Sequence, residues 1–289
     1  MEKVLIDFDQ NEWAKHISEA FQIKEIKVSQ RSFPDMESYF RLEGNVKKKD
    51  VIIVCSLNEP NSKTLDLVLL SELLRANGAA KVGLVAPYLS YMRQDKVFNP
   101  GEGITAKYFA SLISKYFDWL ITVDPHLHRI HSLDKVYTIP TFVIESAPFI
   151  SEWIGKNIKN PLIIGPDGES KQWVKKVADA IQAPYEVLEK IRLGDENVKE
   201  TIPHLDNYKK HTPVLVDDII STAQTMIQAV KNIQSLKMKQ PYCIGIHGLF
   251  AGHAFADLVS AGVKEIITCN TIAHPTNKID VSKGLTTLF

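Results

Sequence analysis

Val214-Leu215-Val216-Asp217-Asp218-Ile219-Ile220-Ser221-Thr222-Ala223-Gln224-Thr225-Met226 decides how the rest of the chain is read. The apolar run after Pro213 predicts a buried parallel strand. It is expected to end in paired carboxylates and a tight, hydroxyl-rich turn. Apolar residues then return at Met226, Ala229, Val230, Ile233 and Leu236, the spacing of one helix face. A strand, an acidic turn and a helix start together suit a sugar phosphate. Backbone N–H groups and hydroxyls at the helix start can cradle the phosphate, helped by the positive end of the helix dipole. Asp217 and Asp218 can accept hydrogen bonds from vicinal sugar hydroxyls. Two adjacent carboxylates also favour a site that supplies donors or a cation. The plainer alternative is a solvated turn whose Asp and Ser only cap the helix.

Outward from this stretch, strands alternate with helices, which predicts an α/β fold with mainly parallel sheets. Before it, strands are expected at 23–28, 51–57, 82–86 and 119–123, with an amphipathic segment at 12–21, helices at 65–75 and 106–114, and a turn at 31–37. The second half repeats the scheme with strands at 162–165, 214–216, 242–247 and 266–269, and helices at 171–181, from 226, and at 254–260. The segment from Val54 through Thr64 echoes the one from Val216 through Thr225, with Cys55-Ser56 where the acidic pair would stand. This points to two similar domains, 1–143 and 144–289, of which only the second keeps the acidic loop. The last stretch of the chain is expected to pack back on the first domain.

Thirty-four basic residues balance 34 acidic ones, so no net field favours nucleic acid. No apolar run is long enough to span a bilayer, and the first residues lack the apolar core of a signal peptide. Cys55, Cys243 and Cys269 lie in apolar runs without C-x-x-C spacing, as buried reduced thiols of a cytoplasmic protein do.

Further stretches carry possible chemistry. Arg93 and Lys96, after a buried strand, can contact phosphates, and Gln94 can read a base edge. Phe33 offers a π-face in Arg31-Ser32-Phe33-Pro34-Asp35-Met36-Glu37, and Glu37 can accept from an amino group or a ribose hydroxyl. His126, His128 and His131 raise zinc, but no cysteine or glutamate stands nearby to complete a tetrahedral set. Asp167, in Gly165-Pro166-Asp167-Gly168-Glu169-Ser170, can bind Mg²⁺ directly or through water. Lys190 and Arg192 share one side if the segment is extended, so both charges can reach one phosphoryl group.

The Asp217 stretch resembles the ribose-5-phosphate loop of type I phosphoribosyltransferases and of ribose-phosphate pyrophosphokinases (PRPP synthetases). With the other motifs, which occur in that family's order over most of the chain, it is similar to the pyrophosphokinases. The short chain and the His247-Gly248-Leu249-Phe250 run resemble archaeal-type members. The resemblance implies two type I phosphoribosyltransferase-like domains, assembly into a homodimer or larger, and Mg²⁺ as cofactor. It implies transfer of the β,γ-diphosphoryl group of ATP to the C1 hydroxyl of ribose 5-phosphate, releasing AMP. Asp217, Asp218, Ser221, Thr222, Ala223, Gln224 and Thr225 would hold ribose 5-phosphate. Phe33, Asp35, Glu37, Arg93, Gln94, Asp95 and His126 would bind ATP, with His126 and Asp167 toward the metal. Lys190 and Arg192 would be catalytic, and Asn270-Thr271-Ile272 resembles the closing element beside the ribose phosphate.

The chain departs from the family at Gln224, where a small residue or glycine is usual, at Pro125, and at Gly168-Glu169-Ser170. Gln224 could narrow the phosphate pocket by bulk or add an amide donor. These departures keep open a non-catalytic regulatory homologue. A type I phosphoribosyltransferase is the other alternative, although it would leave the first half unexplained.

Overall fold

The computed structural model describes residues 1–192, 198–201 and 205–287, with backbone alone for 189–192, 198–201, 206 and 287. Its contacts divide into two compact units: residues 1–144 with the chain end from Ser282, and Glu145–Val281.

In the first unit the elements run β1 (Lys3–Asp7), α1 (Glu12–Phe21), β2 (Lys24–Glu25), β3 (Val28–Ser32), β4 (Ser38–Leu42), β5 (Asp50–Val54), α2 (Pro60–Ala76), β6 (Lys81–Ala86), α3 (Thr105–Tyr116), β7 (Trp119–Val123) and β8 (Thr141–Ile144). Six strands form a parallel sheet in the order β2-β1-β5-β6-β7-β8, and β3 pairs antiparallel with β4 as a separate ribbon. The apolar runs of β5 to β7 are buried, as a sheet covered on both faces requires. α2 sets Leu67, Leu70 and Leu74 against Ile53 and Leu84, and α3 adds Phe109 and Ile113 to the same core. Burial of each such side chain contributes about 1.5–3 kcal/mol. The final turn, Ser282–Thr287, packs on α1.

The second unit continues with α4 (Ala147–Asn157), β9 (Pro161–Gly165), α5 (Lys171–Ile181), β10 (Tyr185–Val187), β11 (Glu189–Arg192), β12 (Val198–Thr201), β13 (Thr212–Ile220), α6 (Gln224–Ser235), β14 (Tyr242–Gly248), α7 (Ala254–Ser260), β15 (Glu265–Cys269) and β16 (Asn277–Ile279). Its sheet is again parallel, in the order β10-β9-β13-β14-β15-β16, with β11–β12 as an antiparallel ribbon. Both units therefore follow one path: two strands, a hairpin, then four strands. The repetition extends to backbone detail. α1 and α5 both end in a left-handed glutamine, Gln22 (φ 53°) and Gln182 (φ 52°), and α2 and α6 both follow a left-handed residue, Glu59 (φ 55°) and Ala223 (φ 60°).

Three local expectations differ from the structure. The strand expected over 23–28 is only Lys24–Glu25, because Ile23 and Ile26 both turn into the core and a three-residue separation breaks strand alternation. The turn expected over 31–37 is shorter, since Arg31 and Ser32 still pair with Tyr39 and Ser38. Most consequentially, β13 does not stop at Val216. β14 extends to Gly248 and keeps pairing with it, so Asp217 and Asp218 lie within the strand, opposite Gly245 and its neighbour, and not in a turn.

Candidate active site

In the second unit the C-terminal ends of β9 and β13 bring carboxylates together. Strand alternation leaves Asp217 half-buried and Asp218 only 5 % exposed. The Asp218 N–H donates to the Asp217 carboxylate at 3.1 Å. Burial pushes the Asp217 carboxyl well above the usual range, and the charges of Asp218, Asp167 and Glu169 push it the same way. Such a set has the donor chemistry for a hard divalent cation, which takes carboxylate oxygens and water.

Asp167 follows β9 and is fixed by its own turn. Its Oδ1 accepts from the N–H groups of Glu169 at 3.0 Å and Ser170 at 3.3 Å, capping the short helical turn that leads into α5. Gly165 makes this fold-back possible: a Cβ there would stand 2.3 Å from the Ser170 hydroxyl oxygen.

Beyond β13 the chain turns through Ser221 and Thr222 to Ala223, whose left-handed backbone aims the next residues into α6. No side chain caps this helix. Its first N–H groups have no intrahelical acceptor and, with Thr222, Gln224 and Thr225, offer a cluster of donors of the kind an anion takes. This turn is braced by the loop after β14. The N–H groups of Leu249 and Phe250 both donate to Ile220 at 3.0 Å, and that of Ala251 to Ser221 at 3.0 Å. Asn270 and Thr271 are engaged within the unit: Asn270 bonds Asp280 and the Val281 N–H, and the Thr271 hydroxyl bonds the Ile246 carbonyl. They brace the end of β15.

Lys190 and Arg192 lie in β11, where their backbone pairs with Glu200 and Val198. Their side chains lie outside the described residues.

In the first unit the residues expected on the nucleotide side come from the hairpin and from the loops after β6 and β7. Phe33, 39 % exposed at the hairpin tip, meets Tyr39 edge-on, and the Arg31 guanidinium lies 4.5 Å and 4.3 Å from the two ring centres. Asp35 accepts from the Glu37 N–H, and both acids are exposed. The ribbon is moored to α2 through Asp66, which accepts from Gln30 at 2.8 Å and from the Ser38 hydroxyl. Arg93 is exposed, Gln94 is half-buried, and His126 lies ring to ring with His128 at 4.5 Å. Asp95 differs from these. Its side chain is 1 % exposed, and both its oxygens are taken by Arg129, which sequence reasoning did not single out.

Residues 3–116 match the model for the N-terminal domain of ribose phosphate pyrophosphokinase, and residues 132–283 that for a phosphoribosyl transferase domain. The chain is 35 % identical to the ribose-phosphate pyrophosphokinase of Sulfolobus acidocaldarius, with 90 % of each chain covered. The chain belongs to the ribose-phosphate pyrophosphokinase family. The family's enzyme from Saccharolobus solfataricus is 34 % identical, covering 89 % of this chain and 88 % of the relative, and that from Bacillus subtilis is 29 % identical, covering 92 % and 84 %. The fold matches the crystal structure of phosphoribosylpyrophosphate synthetase from Mycobacterium smegmatis with a TM-score of 0.87 at 20 % identity, over 99 % of this chain and 97 % of that one. Among the described residues, no helix is long and apolar enough to cross a membrane.

Proposed function

We propose that this pyrophosphokinase-family chain transfers the β,γ-diphosphoryl group of ATP to the C1 hydroxyl of ribose 5-phosphate. The observation that carries the reading is the end of β13, where a half-buried and a buried aspartate stand side by side on the strand that runs through one turn into an uncapped helix start. Asp217 and Asp218 accept from the ribose hydroxyls. The amides and hydroxyls of Ser221, Thr222, Ala223, Gln224 and Thr225 hold the 5-phosphate. Phe33 stacks on the base, with Asp35, Glu37, Arg93 and Gln94 around the nucleotide and His126 toward its phosphates.

The C1 oxygen bonds to the β-phosphorus as the bridge to the α-phosphate breaks, AMP leaves, and the hydroxyl loses its proton. Catalysis of this kind is mainly positioning and charge stabilisation, with cations at the equatorial oxygens. Lys190 and Arg192 supply those cations. Mg²⁺, when bound, neutralises phosphate charge; Asp167 is the carboxylate assigned to hold it, with His126 on the nucleotide side. Burial first, and then the charges of Asp218, Asp167 and Glu169, raise the Asp217 carboxyl, and a bound cation would offset the second of these.

The working state is a homo-oligomer in the cytoplasm. Exposed Leu65, Leu69, Tyr108 and Leu112 on α2 and α3 support the assembly, and three buried free thiols suit a reducing compartment.

The test is AMP release from Mg·ATP with and without ribose 5-phosphate, on wild type and Lys190→Ala. Release that depends on ribose 5-phosphate and collapses in the variant is expected. A protein that binds ribose 5-phosphate but forms no AMP with any nucleotide or metal would be a regulatory homologue instead.

A further inference from the structure

Asp95 and Arg129 lie on different loops of the first unit and are joined at two points. The Arg129 guanidinium donates from Nη1 to Oδ1 of Asp95 at 3.0 Å, and the Arg129 backbone N–H donates to Oδ2 at 3.1 Å. Burial alone would raise the Asp95 carboxyl, but these two Arg129 donors outweigh it and hold the group below the ordinary carboxylate range. The carboxylate is therefore charged at neutral pH and committed to one partner. The guanidinium also stands 5.6 Å from the Phe98 ring centre, and the Lys96 ammonium stands 4.9 Å from the same ring. Arg129 thus meets its loop partner at a buried acid and at an exposed ring.

The position of this clasp gives it a role. β6 and β7 are neighbouring parallel strands, paired from Gly83 with Trp119 to Ala86 with Thr122, so their loops leave the sheet side by side. One loop carries Arg93 and Gln94 immediately before Asp95. The other carries His126 three residues before Arg129. The Gln94 carbonyl also accepts from Ala106 at 3.3 Å, which tethers the first loop to α3, whereas the Asp95–Arg129 pair ties it to the second loop. A charge-assisted pair with one buried partner is strong and directional.

We infer that Arg129 is a positioning residue: through Asp95 it fixes the spacing between Arg93–Gln94 and His126, and Asp95 serves the nucleotide by this route and not by contact. The inference rests on the proposed ATP-side reading of this face.

The experiment compares wild type, Arg129→Met, Arg129→Lys, Asp95→Asn and the double variant Asp95→Asn/Arg129→Met by steady-state kinetics and hydrogen exchange. Arg129→Met is expected to raise KM for ATP about tenfold or more, since small misplacements of binding groups are costly. KM for ribose 5-phosphate should stay within about twofold. Arg129→Lys, which keeps the backbone N–H and a cation, should recover part of the loss. The double variant should be no worse than the poorer single one, as for two residues acting as a unit. Amides at 93–98 and 126–130 should exchange faster in Arg129→Met. An unchanged KM for ATP with normal wild-type turnover overturns the inference, as do equal rises in both KM values or additive losses in the double variant. If wild type forms no AMP, the functional reading fails and hydrogen exchange alone decides: unchanged protection of the two loops overturns the clasp.

Discussion

The backbone N–H of Asp218 donates to the side chain of Asp217 at 3.1 Å, yet the Asp217 carboxyl remains well above its usual range. One donor does not offset burial and three neighbouring carboxylates. The folded protein therefore holds a proton that the unfolded chain releases near pH 4. With the folded value raised, this group favours the folded state least at high pH: stability falls as pH rises from the unfolded value through the folded one. Asp217→Asn removes that fall. The ligand-free variant is expected to melt above wild type at pH 7–8, with the gap closing toward pH 4. KM for ribose 5-phosphate should rise about 10- to 100-fold, since the substrate complex with its cation would hold Asp217 as the charged acceptor that asparagine cannot supply. Melting curves across pH and steady-state kinetics check both halves; a variant that melts lower at pH 8 would show that the charged carboxylate is already balanced.

Asp167 allows charge to be separated from shape. Asp167→Asn keeps an oxygen acceptor for the Glu169 and Ser170 N–H groups, so the turn into α5 should survive with little change in Tm. Removing the charge should raise the Mg²⁺ concentration for half-maximal AMP formation about tenfold, while excess Mg²⁺ restores most of the rate. Asp167→Ala loses the cap as well, costing about 1 kcal/mol of stability. A magnesium titration of the asparagine variant that overlays wild type would remove Asp167 from the metal's ligands.

Much of the scaffold was legible because it follows simple periodicities. β7, α5 and α7 begin and end where apolar spacing and breakers put them, at Trp119–Val123, Lys171–Ile181 and Ala254–Ser260. The acidic stretch was legible as a carboxylate pair between a strand and a helix, but not in its backbone. Nothing in Asp217-Asp218 reveals that β14 continues the ladder past them, because pairing is a property of the partner strand. The β3–β4 ribbon was hidden for a related reason: Val28-Ser29-Gln30-Arg31-Ser32 is polar and half-exposed, so it lacks the apolar signal of a sheet strand. The Asp95–Arg129 pair spans 34 residues and joins two loops, where no period exists to read.

The hairpin that presents Phe33 is moored to α2 by Asp66, which accepts from both Gln30 and Ser38. Asp66→Ala leaves both donors facing water, so the cost to global stability should stay below about 1 kcal/mol. The effect should fall on the ribbon. Faster hydrogen exchange over 28–42 and a severalfold rise in KM for ATP are expected, with KM for ribose 5-phosphate unchanged. Equal effects on both substrates would mean that Asp66 supports the unit as a whole.

The two units share a path, so the first unit's counterpart of the proposed phosphate cradle has to be accounted for. It lies after β5, where Glu59 takes the left-handed conformation that Ala223 takes before α6. There the space near the helix start is taken by a side chain of the protein. The Lys63 ammonium bonds the Ser56 carbonyl at 2.6 Å, Asn58 Oδ1 at 2.8 Å and Asp9 Oδ2 at 3.2 Å, while Asp9 also accepts from the Ser56 N–H. Lys63 thus gathers the Ser56 carbonyl, Asn58 and Asp9 at this helix start, where the second unit has an acidic pair and no lysine. Lys63→Met should cost about 2 kcal/mol of stability, because it strands a partly buried carboxylate. Asp9→Asn in the same chain should recover part of that loss. Neither variant should add a second ribose-5-phosphate site: calorimetric stoichiometry should remain one per chain, and a value of two in Lys63→Met would mean that the lysine had been masking a working cradle.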